Sequence, residues 1–512
     1  MQSFLIFKVR SIIKGILLLT LIQFNYFFSQ AQSYTGYHSS AYAGVYSILN
    51  NPADILNHRT RADINLVGFS TALGNNVFAF KYKNRNDDAA GLAYPNPVKK
   101  DGKLNFNTDV FGPSVMIKLS DKNAFAVTTR ARVFTNVHDI SNAILNSLLP
   151  DVSTESYLGK RLAIINASVN MHTWKEVALT YSRQIANTDF GVWKAGISLK
   201  YLGGVAAFSL SSNNLSYIHD SIIDPADGKT KDALINATGN INISYTKSLD
   251  SLSDDINDYL SFKNPGAGLD IGVSYEYRDE MQVYETLYSD RAANYIWKAG
   301  ASITDIGFIR YKKQQTKSMV NNFSGKTYTV DTLVLPSDSN DIYQMANYYN
   351  NLFNARTESS LLTMQLPTTL HLSYDRYFNK WLGVQAQLNI PLVFSKLNFY
   401  TGNYTPVSIC ITPRAEITWA GFYMPISYNS ISRLNVGAAL RLGPLVIGSS
   451  SIINARAGKT KGLDGYFILR IPIFGYREYK NKTYGQQTPK LTRKQRRELG
   501  CPTNLFLPHK IP

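Results

Sequence analysis

The chain is short of the residues that build cross-linked folds or helical membrane proteins. Only two cysteines, Cys410 and Cys501, occur in 512 residues. That is too few for a disulfide scaffold, and neither lies near the N-terminus, where a lipid anchor would be attached. Beyond residue 28 no stretch approaches about 18 uninterrupted apolar residues, so no later segment reads as a spanning helix. Catalytic patterns are missing as well. The seven histidines are scattered without ligand spacing, and neither His-Glu-x-x-His nor Gly-x-Ser-x-Gly occurs. Three Gly-Lys-Thr triplets begin at Gly228, Gly325 and Gly458. A phosphate loop needs a further glycine five residues earlier, and those places hold Ile223, Val320 and Ile453. The acidic pairs Asp87-Asp88 and Asp254-Asp255 read as solvated loop charge. No enzyme, cofactor or metal is indicated, and no nucleic-acid partner is expected.

What is present points outward from the cytoplasm. Lys8, Arg10 and Lys14 precede the apolar run Gly15 to Phe28, and Ser29-Gln30-Ala31 offers a small-x-small cleavage site. Residues 1–31 therefore read as a secretory signal. After it, segment upon segment alternates with a period of two. Leu269, Ile271, Val273, Tyr275 and Tyr277 alternate with Asp270, Gly272, Ser274, Glu276 and Arg278. Leu382, Val384, Ala386, Leu388, Ile390 and Leu392 face away from Gly383, Gln385, Gln387 and Asn389. Ile409, Ile411, Ala415, Ile417 and Trp419 oppose Ser408, Cys410, Thr412, Arg414 and Glu416. A soluble β-sandwich also alternates. The export signal, strands of about ten residues and aromatics at strand ends (Trp297, Trp381, Trp419, Tyr423) favour an all-β, transmembrane antiparallel β-barrel in the outer membrane. Residues 58–476 would form it, with 12–16 strands.

Short turns are expected at Asn75-Asn76 and Ser120–Asn123. Asp139–Leu149, Ser248–Phe262 and Asp338–Phe353 carry helical spacing and are placed in exterior loops, of which the region from Tyr311 to Leu366 is the longest insertion. The formal charge is +17. With the apolar sets outside, Arg130, Arg132, Lys194, Lys200, Lys298, Arg414, Arg441 and Arg470 point into the lumen. On the lipid face at midplane such a group would cost about 2–4 kcal/mol. Inside, these cations either pair with acids such as Asp270, Glu276 and Glu416, or make the lumen favour anions.

The lead-in Ala41–Phe69 is small and polar, reaches Asn51-Pro52-Ala53, and runs straight into the first strand. In this it resembles the outer-membrane long-chain fatty-acid transporter superfamily, which includes PorV-like barrels of the type IX secretion apparatus. The strand Gly268–Arg278 and the basic tail look more like an uncharacterised Bacteroidota barrel family of unknown function. The resemblance implies 14 strands and a hatch-like segment at 32–57, folded within the barrel. It also implies a transporter or channel for a small, hydrophobic solute; an accessory or adaptor barrel of a secretion apparatus and a structural outer-membrane protein are the alternatives. The expected partners are outer-membrane lipid, a small hydrophobic or anionic solute, and a periplasmic or secretion-system protein. The last would meet the basic tail 477–512, which carries nine Lys or Arg against two Glu.

Overall fold

Alternating strands in lipid have one stable arrangement: a sheet closed on itself, so that no edge amide is left without a partner. The computed structural model shows this closure. It describes residues 33–57, 59–77, 79–81, 92–93, 102–140, 159–164, 167–188, 191–223, 228–249, 262–278, 293, 295–312, 316–329, 348, 351–353, 357–358, 361–392, 403, 405–457 and 459–474. The expected signal at 1–31 and the expected basic tail at 477–512 lie outside the described residues.

Fourteen antiparallel strands make the barrel. They are β1 (Thr60–Asn75), β2 (Gly102–Phe111 and Ser114–Ser120), β3 (Asn123–Ile140), β4 (Lys160–Ile164 and Ser168–Asn187) and β5 (Gly191–Ile223). Then come β6 (Thr230–Thr246 and Asn264–Tyr277), β7 (Trp297–Tyr311 and Thr316–Thr329), and β8 (Thr357–Glu358, Leu362–Gln365 and Thr369–Tyr377). The circuit continues through β9 (Leu382–Pro391), β10 (Ser408–Glu416), β11 (Ala420–Tyr423 and Ile426–Asn429) and β12 (Arg433–Val436 and Ala438–Leu442). It ends with β13 (Leu445–Ser449) and β14 (Gly462–Phe474), which pairs back onto β1.

The two ends of the barrel differ. Tight connections at 121–122, 188–190, 378–381, 417–419 and 443–444 gather at one end, joined there by the longer stretch 278–296. The long connections 76–101, 141–159, 330–356 and 392–407 lie at the other. At Ser120–Asn123 the Ser120 hydroxyl accepts from the Lys122 amide at 3.3 Å and from Asn123 Nδ2 at 3.2 Å, which fixes the tight turn. Asn75-Asn76 is not a tight turn: it opens the connection 76–101. The two side chains accept instead from the amides of Val77 (3.0 Å) and Lys103 (2.7 Å), stitching the foot of a long loop.

Exposure follows the alternation. Ile271, Val273, Ile409 and Ile411 are 41–47% exposed, whereas Asp270, Ser274, Glu276 and Arg414 are 1–2% exposed. An uninterrupted apolar exterior of this kind far exceeds the patches a soluble protein tolerates, so the outer face is the lipid face.

One side of the wall is much taller than the other. A spanning strand needs roughly 9–11 residues, which β9 and β10 meet, while β5 runs for 33 residues. Here the expected long insertion after Tyr311 is corrected: Thr316–Thr329 is a strand registered on the first half of β6, with Met319 opposite Ile243. Met319, Asn321 and Phe323 turn inward against Ile243, Tyr245 and Leu234, while Val320 and Asn322 face out. The interruption at 312–315 breaks the alternation and hides this continuation from the sequence. Of the expected helices, Asp139 and Ile140 instead finish β3. Ser248–Phe262 is described only at its ends and opens within a single 3-10 turn, Lys247–Leu249. Residues 348 and 351–353 of the third are helical, and the remaining residues of these segments lie outside the described set apart from Phe262.

The facing generates a direct test. Ile271→Arg should reduce the yield of heat-modifiable, folded barrel severely, because it puts a charge costing about 2–4 kcal/mol on the lipid face. Arg441→Gln, on the inner face, should leave most of the folded band. Equal loss in both variants on unheated gels would show the assigned faces to be wrong.

Candidate functional site in the lumen

Residues Ser33–Asn57 are almost wholly buried. Their backbone is set by a few local signals. Gly44 holds φ +58 at the start of the 3-10 turn Gly44–Leu49, a conformation few side chains adopt. A Cβ there would also strike Asp63 and Arg470. Asn51 is extended, caps the turn Pro52–Leu56 by accepting from the Ala53 amide at 3.0 Å, and is followed by proline at the first position, where no amide is needed.

The segment touches strands all round the barrel, in the half nearer the tight turns. Asn51 Nδ2 donates to the Val273 carbonyl on β6 at 3.0 Å, and Ser182 on β4 donates to the Ala53 carbonyl at 3.0 Å. Lys298 on β7 pairs with Asp54 at 2.9 Å, and Lys194 on β5 donates to Asn57. His38 meets Gln387 on β9 at 2.8 Å, Ser40 donates to Glu416 on β10, and Tyr466 on β14 donates to the Thr35 carbonyl at 3.0 Å. On β1, Asp63 accepts from the Val45 amide at 2.9 Å and Asn65 from the Tyr46 hydroxyl at 2.7 Å. Asn51, Pro52 and Ala53 rest on bare backbone: a Cβ at Gly196 would fall on the Pro52–Ala53 peptide, and one at Gly272 on the Asn51 side chain. Tyr34 and Tyr37 pack edge-on with Tyr466 and Tyr423, and Tyr46 lies edge-on to Tyr34 and tilted against Phe111, to fill the rest.

All eight basic residues named from the alternation have buried or nearly buried side chains, and seven meet carboxylates. Arg414 lies 2.6 Å from Asp375 and 3.3 Å from Glu416, and Arg470 2.8 Å from Asp63. Lys194 lies 2.6 Å from Glu276, and Lys298 takes Asp54 as above. Arg130 binds Asp109 through Nε at 2.9 Å and approaches Glu176 at 3.5 Å. Arg132 reaches Asp305 at 2.7 Å, and Lys200 bridges Asp305 (2.6 Å) and Asp270 (2.8 Å). Arg441 differs: it donates to the carbonyls of Ile417, Thr418 and Ala420 in the β10–β11 turn and stacks over Tyr42 at 4.4 Å. The sequence reading missed Asp54, Asp63, Asp109, Asp305 and Asp375, and the glycine seats. Gly196 and Gly272 carry the one available hint, as side-chain-free positions beside inward-facing residues.

Above the segment lies a cavity of about 70 Å³, lined by Asn50 and His38 below and by Arg132, Asp305, His371 and Asn389 around it. Transport of an apolar solute calls for an apolar pocket here, and the cavity is mixed instead: most of its lining residues are polar, while Leu49, Phe134 and Pro367 give it apolar faces. The apolar side chains of the next level, among them Phe134, Trp174, Leu202, Ile309, Tyr311 and Met364, pack on one another. Among the described residues no group of three or more His, Cys, Asp or Glu could hold a metal ion.

The sequence pattern of the family of unknown function DUF5723 matches residues 52–450, most of the chain. The chain belongs to that family. No curated protein matches it. Among solved structures it is similar to a Pseudomonas aeruginosa FadL homologue, with 12% identity over 87% of this chain and 98% of that one, at a TM-score of 0.36. It is also similar to the Pseudomonas putida toluene transporter TodX, with 10% identity over 87% and 98% at 0.32. The translocator domain of the autotransporter NalP from Neisseria meningitidis matches at 7% identity over 81% and 90%, at 0.27. Likenesses this faint carry no functional weight.

His38 makes seating of the DUF5723 chain's lead-in dependent on pH. Burial holds its imidazole below the ordinary value of 6.5, and the bonds to Gln387 and the Tyr34 carbonyl offset this only in part. A released segment would bind the proton more readily, so seating is fully favoured above the ordinary value and weakens as pH falls beneath it. Hydrogen exchange of amides 33–50, corrected for chemical exchange, should quicken between pH 7.5 and 5.5. His38→Gln should flatten that dependence; an unchanged dependence would assign it elsewhere.

Proposed function

We infer that this protein is an outer-membrane barrel that passes a small solute, with Ser33–Asn57 as its hatch. One observation carries the reading: the segment fills the lumen at its tight-turn end, held by hydrogen bonds, ion pairs and packed apolar side chains and with no covalent cross-link to the wall among the described residues, with a cavity directly above it. Tight turns belong on the periplasmic side and long loops outside, so the hatch would close the periplasmic half. The polar lining favours a solute with a polar end over one that is apolar throughout.

A second reading, an adaptor barrel for a protein partner or secretion apparatus, is favoured by the tall wall. Strands β4 to β7 continue well beyond the span on the long-loop side and offer a broad surface there. The basic tail 477–512 would serve the same role from the periplasm, meeting an acidic protein or lipid headgroups.

Asp54→Asn discriminates between a gate and a fixed filler. It leaves Lys298 buried without its counter-charge, a loss of about 3–5 kcal/mol when one partner of such a pair is removed. Conductance of the purified barrel in planar bilayers should rise several-fold, and deletion of 33–57 should raise it further. A correctly folded deletion that conducts no more than the parent would rule the hatch out.

A further inference from the structure

Two buried polar atoms at the cavity above the segment have no partner among the described residues: the Nε of Arg132, a donor, and the Oδ1 of Asn107, an acceptor. Arg132 is 4% exposed and Asn107 2% exposed. Buried groups of this kind are nearly always satisfied, so each marks a place where something else completes the bond.

The surrounding charge limits what that can be. Three cations, Arg130, Arg132 and Lys200, face four carboxylates, Asp109, Glu176, Asp270 and Asp305. An anion entering here would meet more negative than positive charge. A cation would find the carboxylates occupied: both oxygens of Asp109 accept from Arg130, and those of Asp305 accept from Lys200 and Arg132. An uncharged group that both donates and accepts suits the Arg132 Nε and the Asn107 Oδ1. The volume of about 70 Å³ is several times the 10–15 Å³ that one water requires. Phe134 adds an apolar face to the lining, and the hydroxyl oxygens of Thr369 and Thr405, 2.9 Å apart, add further acceptors, since Thr369 donates to the Pro367 carbonyl and Thr405 to Thr369.

We propose that this cavity binds the uncharged, hydroxylated end of a small solute, a polyol group of about glycerol's size. The proposal rests on the transport reading for the solute's role and deepens it by naming the chemical class. Ligand contact would reach the hatch itself, since Ser33 accepts from Asn107 Nδ2 at 3.2 Å and Asn50 donates to Gln387 at 2.9 Å on the same cavity.

Saturation-transfer NMR on the full chain in detergent micelles tests this with four probes: glycerol, acetate, tetramethylammonium and toluene. Transfer to glycerol should exceed that to each of the others at least fivefold. Asn107→Leu should bring it to background while heat-dependent gel migration is kept. If Asn107→Leu does not fold, Thr405→Val reports on the same cavity from the connection before β10. Equal transfer to acetate or toluene, glycerol transfer that survives a folded variant, or no transfer to glycerol at all (a cavity that holds water only) would each overturn the proposal. Binding in micelles is read without passage. A barrel that binds glycerol but never conducts therefore sinks the transport reading alone, and one that conducts without binding glycerol sinks only this proposal.

Discussion

The cations turned into this filled lumen are almost wholly buried, and a few kcal/mol bars them from the lipid face, so what compensates their charge must come from inside. The rest of this lumen is arranged around that requirement. Arg414 takes Asp375 from two strands away, and Lys200 gathers Asp270 and Asp305 from the two strands that follow. Arg470 and Asp63 join the last strand to the first, tying the seam where the barrel closes. Each pair is worth little in net stability, but removing one partner strands the other. The pairs therefore specify register and closure more than they add stability.

The same requirement explains how a short polar segment can live inside the barrel. Ser33–Asn57 carries its own acid, Asp54, to Lys298, and supplies amide, hydroxyl and carbonyl groups to Glu416, Asp63 and Arg470. Where it lies closest to the wall, the wall has no side chain. Gly196 lets the Pro52–Ala53 backbone lie directly on β5, and Gly272 lets the Asn51 side chain lie directly on β6. The lumen is therefore layered. The lead-in, seated by polar bonds and by packed tyrosines and aliphatics, lies nearest the tight turns, a charged girdle with its cavity sits above it, and a packed aromatic and aliphatic level centred on Phe134 and Trp174 follows. Arg132 stacks on both rings and bonds Asp305, so it joins the charged level to the apolar one.

The lopsided wall follows from the same economy. Beyond the span, the inward faces of β5, β6 and β7 carry Leu215, Tyr217, Leu234, Ile243, Tyr245, Met319 and Phe323, which bury one another. A sheet with an apolar inner face can continue past the bilayer, whereas β9 to β12 have no such extension and stop near the length needed to cross.

Local alternation determined a great deal. A strand's period of two assigns each residue a face without reference to any neighbour, so the lipid side at Ile271 or Ile409 and the inner side at Arg414 were legible. The lead-in stood out through its small, polar composition and the Asn51-Pro52-Ala53 motif, because composition and turn chemistry are also local, but the Asn51 cap and the residues it rests on were not read. Long-range pairing was not legible. That Arg470 meets Asp63, or that Asp54 meets Lys298 across 244 positions of sequence, depends on strand order and closure, which no short pattern encodes. The polarity of the cavity was hidden for the same reason, since its lining comes from the lead-in, β2, β3, β7, β8 and β9 at once. The sequence set which way each side chain points; only the closed sheet decided what it would find there, because facing is a property of one strand and compensation a property of fourteen.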